Sequence, residues 1–184
     1  PDSILNDKCA YEYRKDFGKE LAKEADIDVD LIVPVPDSGN AAAIGYSQHV
    51  GRNFDLGIIR NHYVGRTFIE PVQKIRSLGV KLKLNANKST IKNKKIVLID
   101  DSLVRGTTCH KIVKMLYDSG AKEVHVRIAS PEIRFPDFYG IDTPTNKDRL
   151  AANNNNNEIC DELSFKPEST FYSELPKIIK KING

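Results

Sequence analysis

The stretch Val97-Leu98-Ile99-Asp100-Asp101-Ser102-Leu103-Val104-Arg105-Gly106-Thr107-Thr108 decides how this chain is read, because an uninterrupted apolar run stops at two acids and a Gly/Thr turn. Ile96 to Ile99 is apolar, largely β-branched and continuous, the pattern of a strand buried on both faces. From Thr107 onward, Cys109, Ile112, Val113 and Leu116 recur at the spacing of one helix face. The turn therefore lies at the carboxyl end of a strand and the amino end of a helix. N–H groups there have no intrahelical partner and the helix dipole is positive, so a phosphate can dock, with the Thr107 and Thr108 hydroxyls as further donors. Gly106 lets the backbone come close.

Asp100 and Asp101 would repel a phosphate and so need a different target. Sugar hydroxyls donate to ionised carboxylates, and a Mg2+ ion shared with the ligand would bind to them. A phosphorylated sugar satisfies both halves of the motif. The plainer alternative is that the two acids merely end a strand, with Ser102 and Arg105 solvating the turn. No G-x-x-x-x-G-K-[ST] run occurs, which disfavours a P-loop nucleotidase.

Working outward, Leu31 to Val35 reads as a strand whose Pro34 and Pro36 constrain the turn at its carboxyl end. Asn40 to Val50 reads as a helix, Leu56 to Ile59 and Val124 to Ile128 as strands, and the helix from Thr107 closes at Gly120. Tyr11 to Glu24 places Tyr13, Phe17, Leu21 and Ala22 at helical spacing. This alternation predicts an α/β fold, a parallel twisted sheet flanked by helices, with ligands at the strands' carboxyl ends. Asp37-Ser38-Gly39-Asn40, small residues just ahead of a helix, form a second candidate for an anion, although Ser38 alone reads equally as an N-cap.

The stretch from His62 to Lys95 is too long for an ordinary connection and too polar for core, so a functional loop is expected there. Lys74, Arg76, Lys81, Lys83, Lys88, Lys92, Lys94 and Lys95 crowd into it, either facing a polyanionic ligand or forming a solvated basic face. Residues 1–150 read as one domain. Residues 151–184 read as its linker and helical tail, with five asparagines at 153–157 and an amphipathic helix from Ser173 to Lys181.

A chain of 184 residues, 40% hydrophobic and 29% charged, suits one soluble core. Its net charge of +3 is too small to argue for nucleic acid. No apolar run is of membrane-spanning length and Pro1-Asp2-Ser3-Ile4 lacks a signal pattern, so no membrane partner and a cytoplasmic location are expected. Cys9, Cys109 and Cys160 match neither a disulfide framework nor a metal-ligand spacing and read as reduced thiols. His49, His62, His110 and His125 are as dispersed, giving zinc little support.

Val97 to Thr108 resembles the phosphoribosyl pyrophosphate (PRPP) signature of type I phosphoribosyltransferases. Four stretches are similar to one branch, the amidophosphoribosyltransferases: Asp100 to Thr108; Val33-Pro34-Val35-Pro36-Asp37-Ser38-Gly39; Arg60 to Ile69 with Pro71 and Gln73; and Ser130 to Pro136 with Phe138-Tyr139-Gly140-Ile141-Asp142. The resemblance implies a type I phosphoribosyltransferase fold with a flexible loop. It implies displacement of pyrophosphate from PRPP by ammonia, giving 5-phosphoribosylamine in de novo purine biosynthesis. Asp37, Ser38, Gly39, Asp100, Asp101, Ser102, Arg105, Gly106, Thr107 and Thr108 would bind PRPP, with Ser38, Asp100 and Asp101 associated with Mg2+. Arg66, Thr67, Gln73, Arg76 and Lys83 would act catalytically on the departing pyrophosphate. A homo-oligomer is expected of the full-length protein.

Two departures qualify the match. The chain starts at about the family's domain junction, so the glutaminase domain is expected to be missing and free ammonia to be the nitrogen source. Asp137 stands where one branch has a cluster cysteine, and three cysteines cannot supply four thiolates, so no iron-sulfur cluster is expected. Two rival functions are another type I phosphoribosyltransferase with a nucleobase acceptor, which should lack the Arg66-Thr67-Phe68-Ile69 and Phe138 to Asp142 segments, and a PRPP-binding sensor, which should add a DNA-binding element.

Overall fold

A computed structural model describes residues 3–24, 27–61, 83–104, 106–131, 133, 135 and 170–172. In chain order these form β1 (Ile4–Leu5), β2 (Lys8–Cys9), α1 (Ala10–Glu24), β3 (Leu31–Pro34), α2 (Asn40–Val50), β4 (Asn53–Phe54), β5 (Ile58–Arg60), β6 (Leu84–Ala86), α3 (Lys88–Ile91), β7 (Lys95–Asp100), α4 (Thr107–Asp118), β8 (Glu123–Ile128) and β9 (Thr170–Tyr172). Five strands make one sheet in the order β4-β3-β7-β8-β9, every neighbouring pair parallel.

The period of two along each strand divides the core into two layers. Leu31, Val33, Ile96, Leu98, Val124, Val126 and Ile128 share one face with Ile91 of α3 and Ile112 and Leu116 of α4. Ile32, Val97 and Ile99 share the other with Leu21 of α1 and Ala42, Ala43 and Tyr46 of α2. Strands covered on both sides have their apolar surface removed from water, so β3 and residues 96–99 of β7 are buried without exception. The predicted face of α4, Cys109, Ile112, Val113 and Leu116, is the buried one, and Gly120 follows the helix with φ +94°.

Three expectations need correction. Leu56 to Ile59 does not supply a strand of the parallel sheet: β5 begins at Ile58 and pairs antiparallel with β6 in a separate two-stranded sheet, while the parallel strand beside β3 on the side away from β7 is the two-residue β4. The stretch from His62 to Lys95 is not free of core, since Leu84 and Ile91 are buried beneath the sheet. Their apolar side chains are spaced too far apart among lysines to register as a pattern. Within the tail, Thr170–Tyr172 adds a fifth parallel strand beside β8. The Asn run and the helix expected from Ser173 to Lys181 lie outside the described residues, as do Phe138 to Asp142.

Candidate active site

β3 and β7 are hydrogen-bonded neighbours, so the loops leaving their carboxyl ends emerge side by side. Val35 donates its N–H to the Ile99 carbonyl at 2.8 Å, carrying the ladder one residue past β3. The chain then turns through Pro36, Asp37 and Ser38, with Gly39 donating to the Val35 carbonyl at 2.9 Å. The Pro36–Asp37 peptide is cis. A Cβ at Gly39 would lie 2.3 Å from the Ile99 carbonyl oxygen, so only glycine lets this loop settle against the end of β7.

That approach brings Ser38 to Asp100. Ser38 does not cap α2: its N-cap is Gly39, without a side-chain cap hydrogen bond, and the Ser38 hydroxyl instead hydrogen-bonds the Asp100 carboxylate. Asp100, the last residue of β7, is 9% exposed, whereas Asp101 is open to solvent. Burial, and then the Asp101 charge beside it, push the Asp100 carboxyl up to about 7; the Asp101 N–H, 2.9 Å from its Oδ1, and Ser38 pull the other way. A carboxyl so raised, at the mouth of a parallel sheet, marks a functional site more strongly than a strand-end turn.

The acids are fixed from the far side by β8. Ala129 and Ser130 donate to the Asp100 and Asp101 carbonyls, each at 2.9 Å. Leu103 anchors the next turn in the core. Gly106, with φ 71°, then opens α4 with no side-chain cap hydrogen bond, and Thr107 and Thr108 stand exposed on its first turn. Two helix amino termini, those of α2 and α4, thus flank the Asp100–Asp101 pair. The donor set of Ser38, Asp100 and Asp101 is all oxygen, which suits Mg2+, and a cation there would offset both the burial of Asp100 and its repulsion by Asp101.

Of the sequence candidates, Asp37, Ser38, Gly39, Asp100, Asp101, Ser102, Gly106, Thr107 and Thr108 come together at this end of the sheet. Arg105, Arg66, Thr67, Gln73 and Arg76 lie outside the described residues. Lys83 precedes β6, where its carbonyl accepts from Asn61 at 2.7 Å, next to the Arg60↔Leu84 pair. The basic run does not gather here as a whole. Lys92, Lys94 and Lys95 stand at or before the start of β7, about 16 Å from Asp100 at a strand's rise per residue. There the Lys95 N–H meets the Asp30 carboxylate at 2.8 Å, and that end of the sheet is a solvated basic face.

Sequence reasoning missed two residues of consequence. Arg60, at the end of β5, donates from Nη1 to the Asp37 carboxylate at 2.7 Å. Arg127 on β8 is 1% exposed and hydrogen-bonds Tyr46 of α2, behind the sheet from α4; burial pulls its pKa down to about 10, with Tyr46 acting to raise it. A charged residue inside an apolar strand was the one hint available for Arg127.

No family model matches the chain. Over 153 residues it is 60% identical to the amidophosphoribosyltransferase of Rhizobium etli, covering 83% of this chain and 31% of that protein. Over 182 residues it is 45% identical to the amidophosphoribosyltransferase of Staphylococcus aureus strain Mu50, covering 99% of this chain and 36% of that protein. The solved structure of glutamine phosphoribosylpyrophosphate amidotransferase from B. subtilis, complexed with ADP and GMP, superposes with a TM-score of 0.86 at 43% identity, over 99% of this chain and 40% of that one. The chain spans about a third of the length of the curated relatives it matches.

Proposed function

The chain belongs to the amidophosphoribosyltransferase family and has the type I phosphoribosyltransferase fold, and from that premise we propose that it carries the family's transfer step, displacement of pyrophosphate from PRPP by ammonia to give 5-phosphoribosylamine. The observation that carries the reading is the meeting of the 37–40 loop, the Asp100–Asp101 pair and the amino end of α4 at the carboxyl ends of two adjacent parallel strands. One side of this arrangement offers N–H groups to phosphates, the other carboxylates to hydroxyls.

In this reading residues 105–108 hold the 5-phosphate, with Thr107 and Thr108 on the first turn of α4, and the 35–40 loop faces the pyrophosphate. Asp100 and Asp101 accept hydrogen bonds from the ribose hydroxyls and, with Ser38, hold Mg2+. Bound there, Mg2+ supplies charge neutralisation for the pyrophosphate. Ammonia attacks the anomeric carbon as the carbon–oxygen bond to pyrophosphate breaks; that electron pair leaves with pyrophosphate, and the new C–N bond becomes an amine after loss of one proton. Ammonia is itself a nucleophile, so the protein's task is orientation and charge stabilisation. Arg66, Thr67, Gln73, Arg76 and Lys83 are proposed to face the departing pyrophosphate.

No helix among the described residues is long and apolar enough to cross a membrane. Cytoplasmic residence and assembly of the full-length protein into homo-oligomers complete the reading. Incubating the purified chain with PRPP, Mg2+ and ammonium chloride, and following pyrophosphate release across pH, tests it. Release should rise as ammonium deprotonates, and glutamine should not replace ammonia in this chain. PRPP binding without release would favour a sensor instead.

A further inference from the structure

An acid sits in the loop that this reading assigns to pyrophosphate. Asp37 directly precedes Ser38 and Gly39, and its backbone carbonyl accepts a long hydrogen bond, 3.4 Å, from Asn40 at the start of α2. A carboxylate on a loop that is to receive a polyanion works against binding, unless its charge is offset and its side chain held aside.

Arg60 is placed to do both. β5 belongs to the separate two-stranded sheet, and its last residue reaches across to the main sheet's loop, Nη1 to Asp37 Oδ2 at 2.7 Å. The loop is thereby fixed at two points: Gly39 against the Ile99 carbonyl from below, and Asp37 by Arg60 from the side. Both partners are well exposed, 42% and 53% at the side chain, so the pair contributes little to folding. Its effect falls on the loop it touches.

We propose that Arg60 is a positioning residue for the pyrophosphate loop, acting through Asp37: it neutralises that carboxylate and keeps it turned from the anion. This rests on the reading of the site as a PRPP site. Arg60 is one of the residues for which sequence pattern offers no assignment, since it ends a short edge strand and its partner lies 23 positions away.

The test is calorimetric binding of PRPP with Mg2+ to the purified chain, alongside turnover with ammonia, for wild type, Arg60→Ala, Arg60→Lys, Asp37→Asn and the Arg60→Ala/Asp37→Asn double variant. Arg60→Ala should weaken PRPP binding about three- to tenfold at low ionic strength, lower turnover at saturating PRPP less than it weakens binding, and keep its melting temperature. The loss should shrink as salt is raised, because screening mutes an unneutralised charge. Lysine should restore most of it. The double variant should bind no more weakly than Asp37→Asn alone, since Arg60 has no further task once the acid is gone. Equal binding by Arg60→Ala and wild type overturns the proposal, as does a loss indifferent to salt. So does an Arg60→Ala loss that persists in full in the Asp37→Asn background, which would put the guanidinium on the ligand. A wild-type chain that binds no PRPP overturns the site reading itself.

Discussion

Gly18 of α1 faces the Ala42 carbonyl of α2 so closely that a Cβ on it would lie 1.8 Å from that oxygen. The contact is answered in the other direction, where Gly45 of α2 meets the Lys15 carbonyl of α1 and a Cβ would lie 1.9 Å away. Two helices touch backbone to backbone, and the second of them begins directly after the Asp37-Ser38-Gly39 loop. Helix α1, remote from the site in sequence, therefore determines where that loop stands.

Gly18→Ala should force the helices apart at a point where the obstacle is backbone and cannot rotate away. We expect a stability loss of about 2–4 kcal/mol, read as a lowered melting temperature. Binding of PRPP should weaken in the same variant, because the displaced helix carries the loop with it. A variant as stable as the parent would show that the helices can slide without cost.

Asp100→Asn and Asp101→Asn should separate two roles. Asp101 is exposed, so its substitution should cost no stability and should raise the melting temperature slightly by relieving its repulsion of Asp100, while Asp100→Asn in the ligand-free chain should raise it more by removing a buried acid that prefers to be neutral. The double variant should fold and release no pyrophosphate. Normal turnover at saturating PRPP and Mg2+ would return both acids to the status of a strand-end turn.

The raised carboxyl of Asp100 also predicts a pH dependence. Its value is about 7 in the fold against 3.8 for an aspartate free in water, so between those limits the folded chain holds more protons than the unfolded one. The stabilisation from the neutral form is complete below about pH 4 and is lost as pH rises through about 7. Denaturant unfolding of wild type and Asp100→Asn at intervals across that range should show the difference between them growing with pH in favour of Asn. Saturating Mg2+ with PRPP should remove the slope.

Lys83→Ala should depress turnover with ammonia more than it weakens PRPP binding, if the ammonium group meets the pyrophosphate chiefly as the bond breaks. A drop of about tenfold or more in kcat with KM for PRPP little changed is the expected pattern. An increase in KM alone would make Lys83 a ground-state contact.

Much of this protein was legible in one dimension. Continuous apolar runs at residues 31–35 and 96–99 meant strands buried on both faces, and such strands lie parallel between helix layers because nothing else covers both sides. Asp100-Asp101 at a strand's end and Gly106-Thr107-Thr108 at a helix's start were local signals, and the structure brings them to one place. What tertiary structure alone decided concerns groups distant in the chain. That Ser38 hydrogen-bonds Asp100 rather than capping α2 follows from the β3–β7 register, which periodicity does not encode. That β5 leaves the main sheet and sends Arg60 to Asp37, and that lysines 92, 94 and 95 lie at the far end from the acids, depends on which strands pair and in which direction. Side-chain pattern reports which face of an element is buried; it carries no information about which other element buries it.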